Sequence, residues 1–176
     1  MLELIILIIV IISFILFIIT IYYNKYQLVI IKIDKAEEDI SLYLQRKQEL
    51  LERVKPILKK ELKKDFYLSS LDDINENFNN FELHDILKRN YNELFKVMDE
   101  NEKLLKSESL VQLLEKLNAN EENIVGSIKF YNDTVVEFNQ LVVSFPSSII
   151  AFFKKYKKLE FYNNERREIF EILNND

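Results

Sequence analysis

Few side chains in this sequence of 176 residues are of the types that catalysis or metal binding requires. There is no cysteine, which excludes thiolate zinc sites, iron–sulfur clusters and disulfides. The single histidine, His84, adjoins Asp85, but neighbouring side chains on a helix point about 100° apart and do not converge. The motifs of zinc proteases, serine hydrolases and P-loop proteins do not occur. We therefore expect no catalytic residue, no metal site, no cofactor and no enzymatic activity, and we interpret His84 as a packed or surface residue.

Glu121 is the one polar residue in a long apolar stripe that runs from Leu110 to Phe145. Three roles are open to it: an ion pair with a lysine, a fixed register between packed helices, or a cation site shared with a second buried carboxylate. We favour a role in register, or a side chain that reaches out to solvent. Gly126 lies in the same stretch, where glycine costs roughly 1 kcal/mol relative to alanine, and nothing in the sequence explains it.

The side chains best suited to a functional surface lie between residues 130 and 158. Two of them are polar residues in an apolar helical stretch, with hydrogen bonds between helices as the alternative role. The others form an apolar run followed by lysines. That run suits either the plugging of an open bundle end, which we favour, or the binding of a protein or an anionic lipid surface. The candidate interaction surface comprises Asn132, Asp133, Phe145, Pro146, Ile149, Ile150, Phe152, Phe153, Lys154, Lys155, Lys157 and Lys158.

The composition predicts an all-α fold that positions these residues. With one glycine and two prolines the chain has few of the residues that strand ends and tight turns need. A formal net charge of −5 and a single cluster of four lysines argue against a nucleic-acid partner.

Residues 4–23 carry no charge and are almost entirely apolar. Twenty helical residues span about 30 Å, the thickness of the hydrocarbon core of a bilayer. A cleaved signal peptide is the competing interpretation, but Glu3 precedes the apolar core and no small-residue cleavage site follows it. Lys25, Lys32 and Lys35 follow the segment, which favours an N-terminus outside and a cytoplasmic C-terminal domain.

Apolar residues at steps of three and four predict a bundle of long helices. We expect the first helix to continue beyond the membrane, kink at Pro56 and end between residues 66 and 69. A second helix that begins at Ser70 or Asp72 would return, and a third that begins at Ser107 or Ser109 would run outward again to Pro146. The apolar run after Pro146 would then form a short fourth helix, capped by Ser147 or Ser148, about 50 Å from the bilayer, followed by a terminal helix at 158–173.

Several short motifs resemble the LemA family of bacterial membrane-anchored proteins. The C-terminal half contains a Y-N-D motif at 131–133, Phe138-Asn139, and S-F-P-S-S-I-I-A at 144–151. Near the N-terminus the matches are Tyr23-Asn24, Leu28-Val29, Ala36, Ile40, Leu42, Leu44, Arg46-Lys47 and Leu50-Leu51. The chain departs from the family pattern at Glu37, Ser41 and Glu52-Arg53, and in the Phe-Phe-Lys-Lys-Tyr stretch at 152–156.

The resemblance implies a transmembrane anchor at residues 1–23 and a cytoplasmic antiparallel helical bundle at 24–176. Genes of that family often lie beside the gene of a membrane metalloprotease, which points to envelope quality control and to such a protease as a partner, and the family has no established catalytic activity. We expect a scaffold or adaptor that binds partner proteins at the membrane, with a homo-oligomer as one form of that binding. The alternative is a protein that binds or remodels lipid through residues 148–158, and an enzyme is the third class considered.

Overall fold

A computed structural model of the chain describes residues 1–63, 67–75 and 78–162. The described residues form four α-helices and two short 3₁₀ turns, and no strand occurs among them. The all-α prediction is therefore confirmed. The helices are α1 (Leu2–Leu62), α2 (Asn80–Glu100), α3 (Glu108–Val143) and α4 (Ser147–Lys154), and the 3₁₀ turns are Ser69–Leu71 and Glu102–Lys106.

Helix α1 is continuous over 61 residues and passes through Pro56. It is the one described helix that is long and apolar enough to cross a membrane by itself. Beyond the apolar segment its buried residues recur at steps of three and four, as the sequence predicts: Tyr26, Val29, Ile33, Ala36, Ile40 and Leu44. The helix ends at Leu62, earlier than expected, because Lys63 adopts a left-handed conformation with φ of 54°. The kink at Pro56 stays a prediction.

The start of α2 differs from the prediction. It begins at Asn80 rather than at Ser70 or Asp72, because Asn79 and Glu82 form a capping box. The Asn79 side chain accepts the Glu82 N–H at 3.0 Å, and the Glu82 carboxylate accepts the Asn79 N–H at 3.1 Å. Ser69–Leu71 forms a 3₁₀ turn instead. The helix ends at Glu100.

Helices α3 and α4 fall where the sequence places them. Helix α3 begins directly after Ser107, and α4 begins at Ser147, although the Ser147 hydroxyl donates to the Ser144 carbonyl at 2.8 Å and does not cap the helix. The two helix axes differ in direction by 92°. Residues 158–162 are not helical, and the remainder of the predicted terminal helix lies outside the described residues.

The chain divides into two compact units, one of Met1–Ala36 with the chain from Phe130 onward, and one of Glu37–Lys129. In the second unit, the Asn80 side chain donates to the Glu37 carbonyl at 3.4 Å, and the Lys47 ammonium lies 4.5 Å from the ring centre of Tyr91. From the first pair to the second, the residue number increases on both helices, so α2 runs parallel to α1. The prediction that the second helix returns along the first is wrong. The return along α1 takes place before α2 begins. Asp72 lies 2.5 Å from Lys55, and Asn80, at the start of α2, already bonds to Glu37.

In the first unit, α3 runs antiparallel to α1. Lys32 lies 3.7 Å from Glu137, and the Tyr26 hydroxyl donates to the Ser147 carbonyl at 3.3 Å. From the first pair to the second, the residue number decreases on α1 and increases from α3 to α4, so the two run in opposite directions. The predicted location of the apolar run at the far end of the bundle is therefore wrong. Because α3 is the returning helix, α4 lies beside the C-terminal end of the apolar segment of α1.

Candidate functional site

The asparagines of the Y-N-D and Phe-Asn motifs bind the backbone of the chain segment that follows α4. Asn139 makes two hydrogen bonds to Leu159: its side-chain amide donates to the carbonyl at 3.0 Å, and its side-chain oxygen accepts the N–H at 2.8 Å. Asn132 accepts the Tyr162 N–H at 3.1 Å. The two asparagines are seven residues apart, so they lie on one face of α3 and bind successive parts of the same segment.

Tyr131 adds to this attachment. Its hydroxyl donates to the Glu160 carbonyl at 3.2 Å, and its ring packs edge to face on Tyr162 with centroids 5.1 Å apart. Asn132 is buried, whereas Asp133 is exposed. The structure therefore places Asn132 in the packing role that the sequence left open, and Asp133 alone of the two faces solvent.

Tyr26 holds the start of α4 against α1. The Tyr26 ring is fully buried and contacts the rings of Phe138 and Tyr156, with centroids 5.8 and 5.0 Å apart. Burial, together with the neighbouring Tyr156, raises the pKa of Tyr26 to about 12, although the hydrogen bond to Ser147 opposes this. The hydroxyl is therefore protonated at neutral pH and remains a hydrogen-bond donor to the first residue of α4.

An apolar cleft of about 290 Å³ lies between α1 and the start of α4. Its walls come from the apolar segment of α1 on one side and from the turn and first helical residues on the other. The lining residues are Ile15, Ile18, Ile19 and Tyr22 with Phe145, Pro146, Ile149 and Ile150. Four residues of the candidate interaction surface thus line one cleft with the apolar segment of α1, although the sequence predicted them far from it.

Helix α4 and the turn before it bury little of their apolar surface. Ile150 and Ala151 are buried, whereas Phe145, Phe152 and Phe153 are 83, 80 and 77% exposed. The predicted plug is therefore wrong in place and in burial. The four candidate lysines around and after the end of α4 are exposed, and the Lys154 ammonium lies 5.2 Å from the ring centre of Tyr23. This face thus joins exposed aromatic rings to a basic edge.

A buried ion pair occupies the interruptions in two apolar stripes. Lys47 breaks the stripe of α1 and Glu121 that of α3, and their charged atoms are 2.6 Å apart. The Lys47 side chain is fully buried and also lies over the ring of Tyr91, whose hydroxyl donates to Asn118 at 2.8 Å. Burial lowers the pKa of Lys47, and Glu121 opposes this shift. Of the roles open to Glu121, the ion pair with a lysine is the one observed.

His84 lies partly buried on α2, with its Nδ1 atom 3.5 Å from the Asp85 carboxylate. Burial is the largest cause that lowers the pKa of His84; Lys47 and Lys88 act in the same direction, and Asp85 opposes them. His84 does not line the apolar cleft between α1 and α4. Within residues 1–63, 67–75 and 78–162, no three histidine, aspartate or glutamate side chains are placed to hold a metal ion.

One exposed apolar face escaped the sequence analysis. Leu28 and Ile31 are 54 and 65% exposed on α1, opposite the buried stripe. Ile21, seven residues before Leu28, is also exposed and lies on the same side of the helix. The signal available in the sequence was the presence of these large apolar residues outside the stripe.

A family model described as LemA family matches residues 33–172. The matched range contains most of α1 beyond the apolar segment, all of α2, α3 and α4, and the asparagine contacts to the segment after α4. No curated protein and no solved structure matches the chain.

Proposed function

Since this chain belongs to the LemA family, we propose that it is a non-enzymatic, membrane-anchored scaffold that binds partner proteins at the bilayer surface. The anchor is residues 4–23 of α1. Their apolar side chains are exposed along almost the whole segment, which favours an apolar environment outside the protein. The length of about 30 Å fits one crossing.

The proposed orientation has the N-terminus outside and the bundle in the cytoplasm. Lys25, Lys32 and Lys35 follow the anchor directly in sequence. The exposed lysines after α4 belong to the same compact unit as the anchor. Both sets of charges suit the cytoplasmic side, where basic flanking residues are enriched and the leaflet is anionic.

The exposed apolar face of α1 is the observation that carries the scaffold proposal. Ile21, Leu28 and Ile31 extend the apolar surface of the anchor out of the membrane on the side away from the bundle core. Contiguous exposed apolar surface is typical of a protein interface. The occupant that fits is a helix leaving the same bilayer, either from a partner such as a membrane metalloprotease or from a second copy of this chain.

The buried polar groups support a structural rather than a catalytic role. Lys47 is held by Glu121, and Asn139 is held by the backbone of Leu159. Catalytic acids and bases need access to a substrate in a pocket. These side chains instead join helix to helix, or helix to the segment after α4.

Photo-crosslinking in native membranes tests the proposal. A benzoylphenylalanine in place of Ile31 is expected to give one discrete adduct, whose mass identifies a partner or a second copy. The same probe at Gln140, which is exposed on α3 of the same unit, is the matched control and should give no such adduct. A Leu28→Glu substitution in the Ile31 probe chain should abolish the adduct. The same broad set of neighbours at both positions would contradict the scaffold role.

A further inference from the structure

We infer that α4, together with Phe145 of the turn before it, is a second membrane-contact element. It lies in the plane of the bilayer beside the anchor and inserts Phe145, Ile149, Phe152 and Phe153 among the lipid acyl chains. The inference rests on the proposed anchor and goes beyond the scaffold role, because it assigns a lipid surface to α4 and not a protein.

The direction of α4 fits this arrangement. Helix α3 runs antiparallel to α1 in this unit, and α4 is turned by 92° from α3. If α1 crosses the bilayer near the membrane normal, α4 lies close to the membrane plane. This is the orientation of interfacial amphipathic helices.

The depth of α4 fits as well. The cleft lies between α4 and Ile15, Ile18, Ile19 and Tyr22, which are in the C-terminal half of the apolar segment. Tyr22 and Tyr23 suit the aromatic belt at the membrane surface. Ile15 lies about 12 Å below Tyr23 along a helix, and interfacial helices bury their apolar face about 5–10 Å into the membrane boundary.

The exposed side chains of α4 have the chemistry that a lipid surface requires. The three phenylalanine rings are more than three-quarters exposed and lie in the same unit as the exposed anchor, so a bilayer around the anchor reaches them without a further partner. A lipid acyl chain would also fill the apolar cleft. Exposed lysines, among them Lys155 and Lys157, follow the rings and suit phosphate headgroups.

The absence of tryptophan from the sequence permits a direct test with the full chain. We would reconstitute single-tryptophan variants in phosphatidylcholine–phosphatidylglycerol vesicles with or without lipids brominated along the acyl chain. Ile9→Trp reports on the anchor, Phe152→Trp and Phe153→Trp report on α4, and Leu42→Trp is an exposed control on α1. Leu42 lies nineteen residues beyond Tyr23, about 28 Å along the helix.

The expected result is that brominated lipids remove about half of the emission of Phe152→Trp and Phe153→Trp, as they do for Ile9→Trp, because all three rings contact acyl chains. Leu42→Trp should lose almost none. These α4 rings make few contacts with the protein, so their substitution is not expected to disturb folding.

If Ile9→Trp is quenched and neither Phe152→Trp nor Phe153→Trp is, the inference is overturned and the anchor stands. Blue-shifted but unquenched emission from the α4 variants would show that protein covers α4, and would also overturn it. If brominated lipids do not quench Ile9→Trp, the anchor in the proposed function is refuted instead.

The role of the lysines is tested separately, by varying the charge of the lipid headgroups. Quenching of Phe152→Trp should be stronger in vesicles with phosphatidylglycerol than in phosphatidylcholine alone. The added substitutions Lys155→Gln and Lys157→Gln should remove that difference, because each lysine near an anionic surface strengthens binding. Equal quenching of Phe152→Trp in both vesicles would contradict a role for anionic headgroups.

Discussion

Lys47 and Glu121 show how two local breaks in a pattern become one interaction. Each is the polar interruption of its own apolar stripe, and the ion pair of 2.6 Å satisfies both. The sequence shows each interruption separately. It does not show that they meet, because the register between α1 and α3 depends on contacts distant in sequence.

Glu121→Ala is predicted to destabilise the fold, because it leaves the fully buried Lys47 ammonium without its carboxylate partner. Removal of one member of a buried ion pair costs about 3–5 kcal/mol, and partial exposure of Glu121 favours the lower end. Urea unfolding of the detergent-solubilised chain measures this loss. Glu122→Ala, at the exposed neighbouring position, is the control and should change the free energy of unfolding little.

The double variant Lys47→Met with Glu121→Leu is expected to regain most of that stability, because apolar side chains of similar size often replace a buried ion pair without loss. A Glu121→Ala variant as stable as the parent would contradict the assignment of this pair to the core.

His84 predicts a stability that falls on acidification. Burial, Lys47 and Lys88 hold the folded pKa of His84 below its usual 6.5, against the opposing effect of Asp85. Between the lowered pKa and 6.5 the unfolded chain binds the proton more readily, so unfolding takes up a proton and becomes easier as pH decreases through this window. Above pH 6.5 the stability that neutral His84 contributes to the folded chain is fully present.

Denaturation midpoints measured across this pH range would test the prediction. His84→Gln should flatten the slope below pH 6.5 relative to the parent chain, since its side chain does not titrate. The same slope in both chains would assign the acid sensitivity to other groups.

At the scale of elements, local signals predicted helix type and much of the helix limits. Apolar steps of three and four and the residues around Pro146 place α3 and α4 within a few residues of the observed ends. The start of α2 was predicted wrongly because Ser70 and Asp72 are as favourable N-cap residues as Asn79. The capping box of Asn79 with Glu82 decides the start, and its three-residue spacing was present in the sequence.

The attachment of the segment after α4 could not be predicted in the same way. Asn132 and Asn139 bind backbone atoms of Leu159 and Tyr162, so nothing in the identity of those two residues reveals the contact. The motif residues were recognisable, whereas their partner was not.

Asn139→Leu is predicted to release this segment from α3, because it removes both hydrogen bonds to Leu159 and keeps a side chain of similar size. Hydrogen exchange at the Leu159 amide should quicken by about tenfold or more, which corresponds to a loss of about 1.4 kcal/mol or more in local stability. Asn123→Leu is the matched control, since Asn123 is exposed and bonds only within its own helix. Unchanged exchange at Leu159 would contradict the attachment.

At the scale of the whole molecule, the direction of each helix decides the function that can be proposed. The rule that successive helices alternate in direction put the apolar run far from the membrane and favoured a plug. In the structure α2 runs parallel to α1, so α3 is the helix that returns and α4 meets the apolar segment. The sequence predicted these residues at the far end of the bundle, whereas the structure places them beside the apolar segment of α1.

The most direct test of the account is the distance between the end of the anchor and α4. The parent chain lacks cysteine, so spin labels at Tyr23→Cys and Phe153→Cys give a single pair for pulsed electron resonance in reconstituted vesicles. The account predicts one short distance, governed mainly by the label linkers, because the neighbouring Lys154 contacts the Tyr23 ring. A distance of about 50 Å, the length of a helix of roughly 35 residues, would place α4 at the opposite end and contradict it.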